Sequence, residues 1–93
     1  MALAFEPELV VYDAEESLIR FLATEEESVI RCGISIAALA ALEEVSVLGG
    51  DDEIVTSFFR HRDLIHDIAE RKYRARRLES GGRVVVRLQD LAA

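Results

Sequence analysis

The chain has 93 residues, 51% of them hydrophobic and 31% charged, and this composition predicts a single folded domain and excludes a disordered protein. Its formal net charge of −7 disfavours nucleic acid and anionic membranes as partners at long range. The longest apolar run, Ile36 to Leu42, is far shorter than the roughly 20 residues that cross a bilayer, so no membrane span is expected.

The first residues and the cysteine content indicate a cytoplasmic protein. Acidic residues come early, and no cationic stretch precedes an apolar one, unlike a secretory signal or a transit peptide. The single cysteine, Cys32, cannot form an internal disulfide, which agrees with a reducing compartment.

Three short runs rich in β-branched and aromatic residues predict a three-strand antiparallel meander. Polar stretches separate the runs and supply the turns. The predicted strands cover residues 9–12, 18–23 and 28–34.

The lengths of the two turns decide which side chains face the core. If the second turn spans residues 24–27, Arg20 lies opposite Arg31. If the first turn pairs Tyr12 with Leu18, one face of the meander is apolar and packs on the core. The residues predicted on this face are Leu9, Val11, Ile19, Phe21, Ile30 and Cys32.

Two helices are predicted after the meander. Ser35 is a suitable N-cap for a helix from residue 36 to about 47, which Gly49 and Gly50 end. The second helix is predicted as one unbroken element over residues 51–77, with acids in its first turn. Its length would be roughly 38 Å, against a radius of gyration of roughly 12 Å for a compact chain of this size. We therefore expect its end to project from the domain or to dock on a partner.

Cations interrupt the apolar stripe of this long helix. The stripe is formed by residues at helical spacing, among them Ile54, Phe58 and Ile65. His61, Arg62 and Lys72 occur where the core of a monomer would favour leucine. This arrangement favours a subunit or partner interface.

A turn at residues 80–82 and a valine-rich run at residues 83–88 predict a final strand that joins the meander. The predicted fold class is therefore α+β, with a three-strand antiparallel meander plus a C-terminal strand packed against two helices, the second one long.

Several segments at these positions resemble one bacterial family, known as domain of unknown function 1488, over nearly the whole chain. The resemblance implies a small α+β fold with a few strands and two helices. It implies no activity and no catalytic residues. The segments that carry it are Tyr12-Asp13, Ile19-Arg20-Phe21, Ile30-x-Cys32-x-Ile34-Ser35-x-x-Ala38-Leu39, and Phe58-x-x-x-Arg62-x-x-Ile65-x-x-Ile68-Ala69-x-x-Lys72-Tyr73.

The residues that could carry chemistry have simpler structural interpretations. Cys32 falls in a strand on the predicted core face, where a free cysteine is usually a small buried hydrophobe. His61 and His66 are about 140° apart on a helix, so they cannot share a metal by themselves, and His66 is predicted in a surface ladder of charged residues. We predict no catalytic residue, no metal site and no cofactor.

The basic end of the long helix is the strongest sequence signal for contact with phosphate or nucleic acid. Helix-dipole complementarity and i,i+4 ion pairs account for part of this run. The residues left for an anion or an interface are Lys72, Tyr73, Arg76 and Arg77, with Arg83 and Arg87 nearby.

Arg20 and Arg31 form a second candidate contact for an anion. As cross-strand neighbours they would repel each other unless a carboxylate such as Glu8, or a bound anion, lay between them.

Three hypotheses about function remain. The first is a non-catalytic interaction or regulatory module, most simply a homodimer, that contacts itself or another protein through the long helix and the sheet. The second is a regulator that binds nucleic acid or another anion through the basic helix end, and the third is an enzyme that depends on Cys32.

Overall fold

In the described part of the chain, four strands come first, three α-helices follow, and a fifth strand returns to the sheet. The computed structural model describes residues 3–92. The strands are β1 (Ala4–Phe5), β2 (Val11–Asp13), β3 (Leu18–Glu25), β4 (Ser28–Ser35) and β5 (Val84–Val86). The α-helices are α1 (Ile36–Leu42), α2 (Asp51–Arg60) and α3 (Arg62–Arg74), and 3₁₀ turns cover Ser80–Gly82 and Leu88–Ala92.

The five strands form one mixed sheet in the order β1-β3-β4-β5, with β2 also paired to β3. Strands β1 and β2 pair antiparallel with opposite ends of β3, so they occupy the same edge of the sheet. The predicted final strand does join the meander, and it pairs parallel to β4. The predicted α+β class is confirmed.

The β3–β4 hairpin is longer than predicted. Glu25 pairs with Ser28, so the turn has two residues, and Glu26 adopts a left-handed backbone with φ of 57°. The predicted opposition of Arg20 and Arg31 is therefore wrong, because Arg20 lies opposite Gly33. A shift of two residues keeps every side chain on its face, so the predicted core residues of these strands are buried.

Strand β2 differs from the prediction by one residue, and this slip reverses its faces. Tyr12 pairs with Ile19 instead of Leu18. Tyr12 consequently packs against the core, whereas Leu9 and Val11, which were predicted inside, are exposed.

Helix α1 begins as predicted and ends early. The Ser35 hydroxyl accepts a hydrogen bond from the backbone N–H of Ala38 at 3.1 Å. The helix ends at Leu42 instead of about residue 47, because Glu44 adopts a left-handed backbone with φ of 60° and closes a Schellman motif.

The predicted long helix is divided into two helices at His61, whose φ of −108° and ψ of 12° lie outside the helical range. The second helix ends at Arg74 in another Schellman motif, with Arg76 at φ of 59°. The chain spans 36 Å at most, with a radius of gyration of 12.4 Å. No helix projects from residues 3–92, so helix length no longer supports a dimer.

All three helices pack on one face of the sheet. Buried residues of α1, α2 and α3 form a single cluster with the inward side chains of β3, β4 and β5, including Phe21, Phe58 and Ile65. None of the helices in the described part of the chain is long and apolar enough to cross a bilayer. Within residues 3–92, no α-helix covers the opposite face of the sheet.

Candidate functional site

A cavity of about 390 Å³ opens on the helix-free face of the sheet; we call it the outer-face cavity. It combines three arginines with an apolar floor. The floor is formed by Leu18 and Leu22 of β3 and Val85 of β5. The complete lining is Glu16, Leu18, Arg20, Phe21, Leu22, Arg31, Cys32, Ser80, Arg83 and Val85.

The floor follows from the two-residue period of the strands. Leu18 and Val85 are fully buried, although neither belongs to the core cluster beneath the helices. Gly33 lies between them in β4, and a Cβ there would approach the carbonyl oxygen of Ile19 to 3.2 Å and Leu18 Cδ1 to 3.5 Å. The tight contact is the one with the Ile19 carbonyl, so glycine suits the close approach of β3 and β4 beside the floor.

The arginines of the cavity differ in their partners. Arg20 contacts Asp13 and Glu16, each at 2.7 Å, and Arg83 contacts the same Glu16 at 3.3 Å. Arg31 donates a hydrogen bond of 3.4 Å to the carbonyl oxygen of Gly81. No carboxylate of residues 3–92 pairs with Arg31, so its positive charge is the uncompensated one of the three.

The structure brings Arg20 and Arg31 together as the sequence predicted, by a different route. They line the same cavity without lying directly opposite each other. The carboxylates beside Arg20 are those of Asp13 and Glu16 instead of the predicted Glu8. Arg83, which the sequence grouped with the basic helix end, lies here instead and completes the set because β5 pairs parallel to β4.

Lys72 belongs to the interior of the protein. Its Nζ donates to the carbonyl oxygen of Val85 at 2.8 Å and to the Asp90 carboxylate at 2.7 Å. Its side chain is only 10% exposed, and that of Asp90 is 3% exposed. An internal ion pair between α3 and the C-terminal turn thus explains this cation of the apolar stripe.

Burial and ionic partners act in opposite directions on the pKa of Asp90. Burial is the largest single influence and raises the pKa, but hydrogen bonds from Lys72 and from the Arg87 N–H lower it. The charges of Lys72 and Arg77 lower it further, so the pKa of this carboxyl lies below its ordinary value.

The other two cations of the stripe lie at the helix break. His61 Nε2 is 2.6 Å from the Glu43 carboxylate, which Arg60 also contacts. The hydrogen bond from Arg60 is the main reason that the pKa of Glu43 is lowered. Arg62 is exposed and lies at the rim of a small aromatic cleft.

Most arginines at the basic helix end form ion pairs within the molecule. Arg71 pairs with Asp67, Arg74 with Glu25 and Arg77 with Asp90. Arg76 lies over the ring of Tyr73, with 5.9 Å between the guanidinium carbon and the ring centroid.

His66, which was predicted in a surface ladder, lies in an aromatic cluster. Its ring stacks on Phe5 with centroids 3.9 Å apart, and Phe21 and Phe58 lie at 5.6 and 6.2 Å. Burial is the main cause of the lowered pKa of His66, with Asp63 and Arg62 acting in opposite directions. Sequence periodicity missed this cluster because strand β1, which supplies Phe5, has only two residues.

Cys32 lies in the core, as the sequence predicted. Burial raises the pKa of its thiol to about 12. Among residues 3–92, no group of three or more His, Cys, Asp or Glu side chains is placed to hold a metal ion.

Residues 3–92 thus form a small α+β domain in which helices cover one face of the sheet and an arginine-lined cavity opens on the other. The chain belongs to the family described as protein of unknown function (DUF1488), whose model matches residues 3–86. The resemblance noted from the sequence is thereby confirmed. No curated protein matches the chain.

The fold is similar to that of a solved member of the same family. This structure is the crystal structure of a protein of unknown function from Shewanella loihica PV-4, with a TM-score of 0.83 and 24% sequence identity. The match covers 91% of each chain. At this identity the comparison supports the fold alone.

Proposed function

We propose that this protein is a small non-catalytic binding module that holds an anionic ligand in the outer-face cavity. The observation that carries the proposal is the position of Arg31. Its guanidinium group lies at a cavity with two further arginines and has no carboxylate partner within residues 3–92. An anion placed there would accept charge-assisted hydrogen bonds, which are stronger than those between neutral groups.

The surroundings of the cavity favour an anion over other ligands. The apolar floor excludes water from one side and so strengthens the electrostatic attraction above it. The overall charge of −7 is disadvantageous for anion binding at long range, so we expect salt-sensitive binding that depends on this local group of arginines.

Binding without catalysis is the simpler interpretation of the lining residues. A guanidinium group stays protonated and cannot exchange a proton with a ligand. The thiol of Cys32 has a pKa raised to about 12, which leaves almost no nucleophilic thiolate at neutral pH. The third hypothesis, an enzyme that depends on Cys32, is therefore not favoured.

Replacing Arg31 with glutamine should weaken anion binding. The loss of one charge-assisted hydrogen bond predicts about a tenfold or larger rise in Kd. The measurement is a titration of isotope-labelled protein with inorganic phosphate and with acetate at low ionic strength, followed by amide chemical shifts of β3 and β4.

Arg76→Gln is the matched control, because Arg76 is an exposed arginine at the basic helix end and lies outside the cavity. Its Kd should equal that of the original protein. If Arg76→Gln weakens binding and Arg31→Gln does not, the site is at the helix end. If neither anion shifts any resonance of the outer face, the proposed function is wrong.

Homodimer formation is the second candidate function. The open face of the sheet supports it, whereas the length of the helix does not. Val11 and Val29 are 60% and 65% exposed on the same open face, at either side of the arginines. A second copy of the chain would cover both valines.

The oligomeric state tests this candidate directly. A dimer that Val29→Asp converts to a monomer, measured by light scattering after size exclusion, would support it. Thr56→Asp, on an exposed position of α2, is the control and should leave the dimer intact. A monomer at the concentrations used for NMR would exclude it.

A further inference from the structure

We infer that the outer-face cavity binds an amphipathic monocarboxylate, a carboxylate head joined to a short hydrocarbon body, and that Glu16 competes with the ligand for two of the three arginines. This inference rests on the proposed anion site. It adds the chemical class of the ligand and a role for one residue.

The charge of the site favours a ligand with one negative charge. The guanidinium groups of Arg20, Arg31 and Arg83 are accompanied by the carboxylates of Asp13 and Glu16. One positive charge remains in excess. A phosphate monoester, with about 1.5 to 2 negative charges at neutral pH, would bring an uncompensated negative charge close to both acids.

The floor favours a ligand with a hydrocarbon body. Leu18, Leu22 and Val85 present apolar side chains to the cavity. A fully hydrated anion would leave these side chains in contact with water, whereas a short alkyl chain would cover them. The volume of about 390 Å³ lies at the small end of the range for ligand sites, which suits a compact molecule.

The contacts of Glu16 indicate that the arginines of the cavity accept a carboxylate head group. One of its oxygens lies 2.7 Å from Arg20, and both lie 3.3 Å from Arg83. The protein thus already places a carboxylate against two guanidinium groups of the cavity. The third, Arg31, is left for the carboxylate of the ligand, and a ligand that reaches Arg20 or Arg83 must displace Glu16.

A chain-length series tests the ligand class. The probes are acetate, butanoate and hexanoate, with inorganic phosphate and the neutral hexanamide as comparisons. The amide signals of Gly33, beside the floor, and of Gly81, beside Arg31, report binding in this cavity. We expect affinity to rise by up to about fourfold per added methylene group, and hexanoate to bind more tightly than hexanamide.

Two substitutions test the residues. Arg31→Gln should weaken hexanoate binding about tenfold, and Glu16→Gln should strengthen it about threefold because a competing exposed carboxylate is removed. Each variant is first compared with the original protein by thermal unfolding. Weaker binding to a folded Glu16→Gln variant would mean that Glu16 positions the arginines, and would overturn its role as a competitor.

The outcomes separate this inference from the proposed function. If acetate and phosphate bind in a manner that depends on Arg31, and affinity does not rise with chain length, the anion site stands and the amphipathic ligand is excluded. If hexanamide binds at Gly33 as tightly as hexanoate, charge has no role and both proposals fail.

Discussion

Replacing Asp90 with alanine is expected to lower the free energy of unfolding by about 3–5 kcal/mol, because it leaves the buried ammonium group of Lys72 without its counter-ion. The Lys72–Asp90 distance is 2.7 Å, and both side chains are nearly inaccessible to solvent. The backbone N–H of Arg87 also loses its acceptor at 2.7 Å. The C-terminal turn should detach from α3 in this variant.

The measurement is urea unfolding followed by circular dichroism. Asp67→Ala is the matched control, since Asp67 pairs with Arg71 at the exposed surface of the same helix and should contribute less than about 1 kcal/mol. Adding Lys72→Met to Asp90→Ala should recover part of the loss, because the unpaired charge is removed. If Asp90→Ala is as stable as Asp67→Ala, the Lys72–Asp90 pair contributes little to the free energy of unfolding.

Acid should remove the part of this contribution that depends on the negative charge of Asp90. The pKa of Asp90 is lowered in the folded protein from an ordinary value of 3.8, so the unfolded chain takes up the proton first as pH falls. The contribution is complete above pH 3.8 and disappears as pH falls through the folded-state value. The stability difference between the original protein and Asp90→Ala should narrow accordingly below pH 3.8.

Replacing Phe58 with alanine is the second substitution with a large expected effect, again about 3–5 kcal/mol of unfolding free energy. The Phe58 ring is 1% exposed and contacts the rings of Phe21 and Phe59, at centroid distances of 5.2 and 5.4 Å. Truncation would leave a cavity between α2 and the sheet and would remove these aromatic contacts.

Phe59 supplies the control for Phe58. It is the next residue of the same helix and is 37% exposed, so Phe59→Ala should cost clearly less stability. Thermal and urea unfolding of both variants measure the difference. Equal losses would show that the two rings are buried to a similar extent in solution.

The sequence predicts correctly which side chains of β3 and β4 face the core. It does not predict the pairing register of the strands. In β3 and β4 the error was two residues, so Phe21 and Ile30 remained on the core side. In β2 an error of one residue exchanged inside and outside, and exposed Val11 instead of burying it. Turn length decides register, and polar stretches without glycine do not reveal it.

The helix break and the buried ion pair depend on contacts between distant residues. Neither glycine nor proline marks the break at His61, where Glu43 from the end of α1 holds the imidazole. Lys72 appeared as a defect in an apolar stripe, because its partner Asp90 is 18 residues away in a turn that periodicity cannot place. The length of an unbroken helix and the cation at Lys72 both predicted an interface, but the helix is divided and the Lys72 pair is a contact within the domain.

The candidate site was partly visible in the sequence. Arg20 and Arg31 stood out as the only cations among the first 53 residues, and they do share a cavity. The sequence grouped the third arginine, Arg83, with the basic helix end and did not place Val85 at the site, because the final strand pairs with β4 only after three helices. Such long-range pairings leave no local pattern.

The buried thiol of Cys32 can report how often the core of the protein opens to solvent. Because Cys32 is 5% exposed and belongs to the core cluster beneath the helices, a thiol reagent added in excess should react much faster with molecules in which β4 has separated from the helices. The labelling rate, divided by that of an unfolded chain, gives the fraction of molecules open at any moment. No added probe or second cysteine is needed to follow how ligands, pH or substitutions alter that fraction.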